Sequence, residues 1–570
     1  MKLSKNMTNL QIAELLRAVA ASYQLKDADA NKFRIVAYER AADAVEHATS
    51  ELKDLWDDGK LEEVPGVGPS IAAHLDELFK TGTSKHFKEV MEGIPPEAFR
   101  LTELPGIGIK TAMKMITEGD RKEIDLKLKE VSEKEKKGKR HLLPYAVMAA
   151  GLIIDWMKKN KNVSQIDPLG SLRRQAGTIG DIDLSVATDS PAEVLEHFIK
   201  YPDSQKTIEK GDTTASIMVP GGVRVDLMIQ PPESYGSLLQ HFTGSKHHNI
   251  ALREYALKKG FSLSEYGIKN IKTKKIAKFR TEEEFYKHLG LSFIPPELRE
   301  DTGEIEAAKE KNLPNLVSPK DIKGDLQIHS SFDVETSHDT GISSMEEVIE
   351  EGNKLDYEYL AFTEHNPSRS KHTDTQIVEI LKRKREKVDQ LNYSLKKEET
   401  YGIHKVFNSL EIDILPDGSL PVPDAGMDTL DFALVSIHSS FELNREQMTR
   451  RVLLALSHPK VKIFAHPTAR KLNEREGVEL NWPEIFDFCL KHNKWIEINA
   501  DPMRLDLPDT LVHEAVKAGV KLTLGTDAHS ASGLLNMPYG VSVARRGWAK
   551  ASDIINTRNL TEFEKLLERR

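Results

Sequence analysis

The sequence predicts a multidomain protein: α-helical N-terminal domains, a middle α/β region of short strands, and a C-terminal region alternating strand and helix as in a parallel sheet or barrel. Three observations predict it. Two turns of shared pattern, "EVPGVGPSIAAHL" and "ELPGIGIKTAMKM", punctuate helical spacing in the first 120 or so residues. The run "TIGDIDLSV", from Thr178 to Val186, alternates apolar and acidic positions as a strand does. Beyond about Lys323, apolar runs recur between helical segments, and most of them end in His, Glu or Asp.

Composition sets the outer bounds. With 570 residues, 39% of them hydrophobic, the chain can bury several cores. A net charge of -9 excludes a protein that coats nucleic acid by uniform positive charge, so any such contact must be local. The single cysteine, Cys489, lies in the apolar stretch "EIFDFCL". It leaves no internal disulfide and no cysteine cluster for zinc, which fits a reducing compartment. In the first segment Ile12, Leu15, Leu16 and Val19 have helical spacing, but Gln11, Glu14 and Arg17 interrupt it as no signal-peptide core would tolerate. No run is long enough to span a bilayer, and the expectation is a cytoplasmic monomer that meets no membrane.

The two N-terminal turns follow Leu/Val-Pro-Gly-apolar-Gly, each leading into an apolar helix. Gly66 and Gly68, and again Gly106 and Gly108, allow a tight turn and leave amide groups facing outward at a helix N-terminus, where a DNA phosphate can bind. This is the helix-hairpin-helix pattern. Glycine turns between packed helices can look alike, but repetition argues for a function, and such contacts fix position on DNA without reading its sequence. The charged stretch "RKEIDLKLKEVSEKEKKGKRHLLP" then reads as a solvated helix or connector.

In the central strand, Asp181 and Asp183 project together while Ile182, Leu184 and Val186 enter the core. Paired carboxylates repel, and a divalent cation is their natural counter-charge. A second strand, "GVRVDLMIQ", buries Val223, Val225 and Leu227 and turns Asp226 the other way. Three carboxylates on neighbouring strands suffice for two magnesium ions and an in-line attack on a phosphate. Upstream, "PLGSLRRQAGTIGD" offers a turn at Gly170 and Ser171, followed by Arg173 and Arg174. A turn amide, a hydroxyl and a guanidinium fork suit a triphosphate. Asp-x-Asp pairs alone are common on solvated strands; the neighbouring turn, arginines and Asp226 single this one out.

On these motifs the first half resembles the family X DNA polymerases. Their nucleotidyltransferase signature, Gly-Ser, an arginine, then Gly-Asp-x-Asp, matches Gly170, Ser171, Arg174, Gly180, Asp181 and Asp183, with Asp226 as third carboxylate. The stretch "HFTGSKHHNIALRE" resembles the family's nucleotide pocket. The resemblance implies Phe242 and Gly244 at the sugar, Asn249 at the base edge and Arg253 at the template strand. His241 stands where the family usually has tyrosine, and Ser70 and His74 stand where repair members carry the lysines of a deoxyribose-phosphate lyase. Neither Ser70 nor His74 can form a Schiff base, so no lyase activity is expected.

The C-terminal runs "DLQIH", "YLAFTEH", "VFNSLE", "FALVSIH", "KIFAH", "WIEINA" and "LTLGTDAH" bring His329, His365, Glu411, His438, His466, Asp527 and His529 to one edge. One buried histidine is more often a satisfied core residue than a ligand, but this many at one edge is hard to explain as packing. Mixed imidazole and carboxylate donors suit manganese, zinc or iron and phosphoester hydrolysis. The region resembles a PHP (polymerase and histidinol phosphatase) domain, which implies a distorted seven-stranded barrel with up to three metals and a 3′–5′ exonuclease, with 3′-phosphatase and abasic-site endonuclease as related activities. Gln327 replaces the first histidine of His-x-His, Asp339 is preferred to Asp333 as a further ligand because "DTG" matches an Asp-Gly turn, and Glu364 stands where aspartate is usual. Arg470 is a candidate phosphate contact, with a plain surface role as the alternative.

The expected organisation is a helical DNA-binding domain at 1–82, a fingers-like domain at 83–145, a nucleotidyltransferase palm at 146–238, a thumb at 239–312, a linker at 313–322 and a PHP domain at 323–570. The expected function is template-directed filling of short DNA gaps in repair, using deoxynucleoside triphosphates and Mg2+ or Mn2+, coupled to the nuclease. The alternatives are a phosphatase whose first half only binds DNA, and a scaffold that catalyses nothing.

Overall fold

A computed structural model describes residues 7, 9–28, 30–46, 52–57, 59, 61–64, 66–102, 107–119, 121, 124, 127–128, 140–397 and 402–568. The chain divides into two units, one of Met1–Arg173 and Thr178–Phe293, the other of Arg174–Gly177 and Ile294–Arg570.

The first unit begins with helices. Asn9–Asp27, Lys32–Glu46 and Pro69–Thr81 close a core around Leu15, Leu16, Val19, Val45, Leu75 and Leu78. Helix Pro69–Thr81 starts with Gly68 as its cap and stops at Gly82, whose φ of 78° only glycine adopts readily. A five-stranded mixed sheet follows, in the order Gln165–Pro168, Ile182–Ala187, Val223–Gln230, Thr214–Val219, Lys206–Lys210. Its two central strands run parallel and the outer pairings are antiparallel. Burial alternates along Val223–Gln230, so the expected faces are the observed ones. Helices Tyr235–Thr243 and Lys246–Lys258 and a small antiparallel sheet complete the unit.

The second unit is built on parallel strands separated by helices. Gly324–Ile328, Tyr359–Phe362 and Lys405–Asn408 form one parallel sheet. Glu411–Asp413, Ala433–Ser436, Val461–Phe464, Trp495–Asn499 and Leu522–Gly525 form another. A parallel bridge joins Ile328 to Ala528, and the amide of His329 donates to the Ala528 carbonyl at 2.8 Å. One apolar cluster, including Leu326, Tyr359, Phe407, Phe432, Ile463 and Trp495, is capped by Phe563 of the last helix, whose ring stacks on Tyr359 at 4.7 Å. A larger cluster lies between strands and helices. Helix starts are fixed chemically: Ser344 with Glu347, and Asn444 with Gln447, make reciprocal capping boxes.

The stretch expected as a linker at 313–322 is a built part of this unit. Val317 is fully buried, its amide donates to the Ala549 carbonyl at 3.0 Å, and Leu316 bridges Lys550. Its prolines and asparagine resemble a linker because irregular but packed chain has the same composition as free chain. Most of the charged stretch between 122 and 139 lies outside the described residues.

Cys489 is buried in helix Trp482–His492, and burial pushes its thiol up from 9.0 to about 12. It should react with a maleimide only after denaturant is added, giving one thiol per chain; reaction in the native protein would place it at the surface. Because the folded chain keeps this proton up to about 12 and the unfolded chain releases it near 9, stability falls as pH rises through that window.

Candidate active sites, one in each unit

In the first unit the sheet register sets Asp183 directly beside Asp226 on parallel strands. Asp181 sits just before strand Ile182–Ala187, and one oxygen from each of the three carboxylates lies within 4.8 Å of the others. Asp181 is exposed and its two partners are half-buried. Gly170, at φ 55°, opens the short helix Gly170–Arg173; a Cβ there would stand 2.7 Å from an Asp183 carboxylate oxygen, so any side chain would crowd the cluster. Ser171 follows it, half-buried. A Cβ on Gly180 would meet the Arg140 guanidinium at 3.3 Å. Sequence reasoning missed Arg224 and Ser216. Arg224 Nε donates to both Asp226 oxygens, at 2.9 and 3.0 Å, and Ser216 Oγ donates to one of them. Arg224 was legible as the residue two before Asp226, on the same face of the strand.

The two arginines diverge. Arg173 donates to Thr243 Oγ1 at 2.7 Å and to Glu282 at 2.6 Å. Arg174 belongs to the second unit, where its Nε is 2.8 Å from Glu300 and its carbonyl accepts from Arg546. Around the turn between helices Tyr235–Thr243 and Lys246–Lys258, Asn249 Nδ2 donates to the His241 carbonyl at 2.8 Å and Gln240 donates to its Oδ1 at 3.3 Å. A Cβ on Gly244 would stand 2.7 Å from Asn249 Oδ1. Phe242 packs against the apolar cluster that includes Leu169 and Leu238 and meets the His241 ring edge-on at 4.8 Å. Arg253 is exposed.

In the first hairpin turn Gly66 has φ 83°, and a Cβ there would come 3.1 Å from the Arg40 carbonyl oxygen. Gly68 and Gly108 are exposed caps of helices Pro69–Thr81 and Ile109–Glu118. Gly106 lies outside the described residues. His74 stacks on His86, with centroids 4.1 Å apart, and Tyr23 shares a hydrogen bond with His86 Nε2 at 3.0 Å.

In the second unit the expected ligands converge because parallel strands end on one side. Glu411, fully buried, is the centre: His466 Nε2 lies at 2.7 Å, His329 Nε2 at 3.1 Å, His438 Nε2 at 3.3 Å and His365 Nδ1 at 3.9 Å from its oxygens. Asp527 is 3.2 Å from His329 Nε2. Asp339 faces His529 at 3.6 Å and His365 at 3.8 Å, whereas the Asp333 carboxylate accepts the Glu335 amide in its own turn. The nearby Gly341 is required, since a Cβ would lie 1.9 Å from the His329 carbonyl oxygen. Gln327 donates to Glu411 at 2.8 Å and accepts from Asn499, so it orients the central carboxylate. Burial alone would favour the neutral acid, but the imidazoles around Glu411 hold it well below the usual carboxylate range.

These donors fit divalent cations. Nδ1 of His329, of His365 and of His466, and Nε2 of His529 are buried without a hydrogen-bond partner among the described residues, close to the Glu411 and Asp527 carboxylates. Three groups, His329–Glu411–Asp527, Glu411–His438–His466 and His329–His365–His529, each bring ligand atoms within 4.8 Å. Sequence reasoning missed Asp413, which accepts from His438 Nδ1 at 2.7 Å, and Arg504, whose Nε lies 3.4 Å from Asp527. It also missed His338, which pairs with Asp413 at 2.8 Å. Arg470 is committed to backbone: its guanidinium donates to the carbonyls of Arg504, at 2.9 Å, and Leu505, which makes it a loop brace.

Glu364 braces the cluster from behind. It accepts from the Ser330 amide and hydroxyl, and it is 2.5 Å from Lys384 Nζ, a fully buried lysine on helix Asp374–Lys397. Lys384→Met should destabilise the second unit by about 3–5 kcal/mol, because it strands a buried carboxylate. A lowered urea midpoint, with faster amide exchange in helix Asp374–Lys397, would show it; an unchanged midpoint would show that the pair contributes little.

Among the described residues, no helix is long and apolar enough to cross a membrane. A profile described as DNA polymerase beta thumb matches residues 238–300, and one described as helix-hairpin-helix domain matches residues 7–84. The chain is similar to the DNA polymerase/3′-5′ exonuclease PolX of Bacillus subtilis (strain 168), with 32% identity over 589 residues covering 99% of this chain and 100% of that protein. It is also similar to DNA polymerase lambda of Rattus norvegicus, 25% identical over 51% of this chain and 56% of the relative. The human DNA-directed DNA/RNA polymerase mu is 23% identical over 52% of this chain and 70% of its own length.

Proposed function

Because the chain belongs to the PolX family, the family X DNA polymerases with a 3′–5′ exonuclease, we propose that its two carboxylate-bearing sites divide those reactions between them. The chain is a DNA polymerase and 3′–5′ exonuclease that acts on DNA and deoxynucleoside triphosphates and uses divalent metal. The observation that carries the division is the register pairing Asp183 with Asp226 in one unit, while Glu411 gathers four imidazoles in the other.

In the first site, Asp181, Asp183 and Asp226 would hold two cations, Mg2+ or Mn2+, which neutralise charge on the nucleotide and act as Lewis acids when bound. Asp226, which accepts from Arg224 and Ser216, would help activate the primer 3′-hydroxyl. Ser171 and the amides of the Gly170 turn receive the leaving phosphates. Phe242 and Gly244 form the sugar side and Asn249 the base edge, with Arg253 toward the template. The exposed glycine turns at Gly66, Gly68 and Gly108 grip phosphates of gapped DNA.

In the second unit we read the two parallel sheets as one distorted barrel, supported by the Ile328–Ala528 bridge. Its residues His329, Asp339, His365, Glu411, His438, His466, Asp527 and His529 would hold up to three ions of manganese, zinc or iron, which supply Lewis acidity and water activation when bound. Asp413 fixes the His438 ring, Gln327 fixes Glu411, and Arg504 offsets the charge of Asp527. The substrate is the terminal 3′ phosphodiester. The rival, a phosphatase with a DNA-binding first half, leaves the Asp181–Asp183–Asp226 cluster without a use.

The test is a 5′-labelled primer on a gapped duplex, with manganese or magnesium, before and after chelation. The expected result is extension with deoxynucleotides, shortening without them, and loss of both on chelation. Shortening with no extension under any metal would support the phosphatase reading.

A further inference from the structure

We propose that His338 is a direct ligand of a divalent cation in the second unit, forming with His365 and His438 a three-imidazole position that the strand-end ligands alone do not provide. This rests on the reading that the Glu411 cluster holds metal. One ring nitrogen from each of His338, His365 and His438 lies within 4.8 Å of the others, and the His338 ring centroid is 4.5 Å from that of His365 and 4.9 Å from that of His438. His365 is buried, and its Nδ1 has no hydrogen-bond partner among the described residues.

His338 comes from irregular chain, yet that chain is tied down. Thr336 bridges Pro367, the Ser368 amide donates to the Glu335 carbonyl at 3.1 Å, and the Glu335 carboxylate is paired with His372 at 2.9 Å and Arg383 at 2.8 Å. The loop therefore presents the imidazole at the mouth of the cluster, where its side chain keeps 26% exposure. Asp413 fixes both rings. It accepts from His338 Nε2 at 2.8 Å and from His438 Nδ1 at 2.7 Å, so Nδ1 of His338 and Nε2 of His438 are the ring nitrogens that Asp413 does not engage. A carboxylate that orients two imidazoles in this way is the usual support behind metal-binding histidines. Three imidazoles favour a borderline cation such as zinc, iron, cobalt or manganese over magnesium.

A simple ion pair with Asp413 is the competing account, and glutamine separates the two because its amide can still donate to Asp413 but cannot replace an imidazole. Full-length protein stripped of metal is titrated with Co2+, following visible ligand-field absorption and competition with a chelating dye, for wild type, His338→Ala, His338→Gln and Glu411→Gln. We expect both His338 variants to bind one equivalent about 10–100-fold more weakly and to lose its absorption band. Restoration of wild-type binding by His338→Gln, or wild-type binding in both variants, overturns the proposal and leaves the cluster as a metal site. If wild type takes up no more Co2+ than Glu411→Gln, the metal reading of the cluster fails, and this proposal fails with it.

Discussion

Replacing Asp181 by alanine is expected to lower nucleotide addition by about 1,000-fold or more, since one lost metal ligand at a phosphoryl-transfer centre costs roughly 4 kcal/mol of transition-state stabilisation. Asp181 is exposed at the start of its strand, so the substitution opens no cavity and leaves the fold intact. The loss should therefore appear in the rate of extension of a primer across a short gap, and not in the thermal transition. Shortening of the same primer without deoxynucleotides should proceed at the wild-type rate. Extension that survives the substitution would remove the carboxylate cluster from the reaction.

The second large effect is expected at Glu411. Glutamine has the same shape but no charge, and four imidazoles face this side chain. Glu411→Gln should reduce 3′–5′ shortening by about 1,000-fold or more and lower the metal retained after desalting. Gap filling should be unaffected. Metal content separates this outcome from a folding defect, because a variant that keeps its secondary structure while losing metal has lost a ligand. Unchanged nuclease activity with unchanged metal content would move the site elsewhere.

Much of this was legible in the sequence, for a physical reason. Strand periodicity fixes which side chains share a face, so Asp181, Asp183 and Asp226 could be placed together before any coordinates, and the register confirms the pairing of the last two. Parallel strands bring their ends to one side, which made His329, Glu411, His438 and His466 readable as a set. What escaped lies in irregular chain, or at positions whose charge hid the face that periodicity gives them. His338 sits in irregular chain, and its partner Asp413 follows Glu411 on a strand where a second acid looks like surface. Lys384 lies in "LKRKREKV", a charge run that reads as a solvated helix face, yet it is buried against Glu364. Arg470 carries the opposite lesson: a guanidinium near a phosphate motif can be taken up by backbone carbonyls.

The central claim, that two separate sites on one chain perform synthesis and shortening, is tested most directly by a single 5′-labelled gapped duplex. Wild type, Asp181→Ala and Glu411→Gln are run side by side with Mn2+, with and without deoxynucleotides. The account predicts that Asp181→Ala shortens but does not extend, and that Glu411→Gln extends but does not shorten. If either substitution abolishes both reactions in a chain that remains folded, the two reactions share one site and the account is wrong.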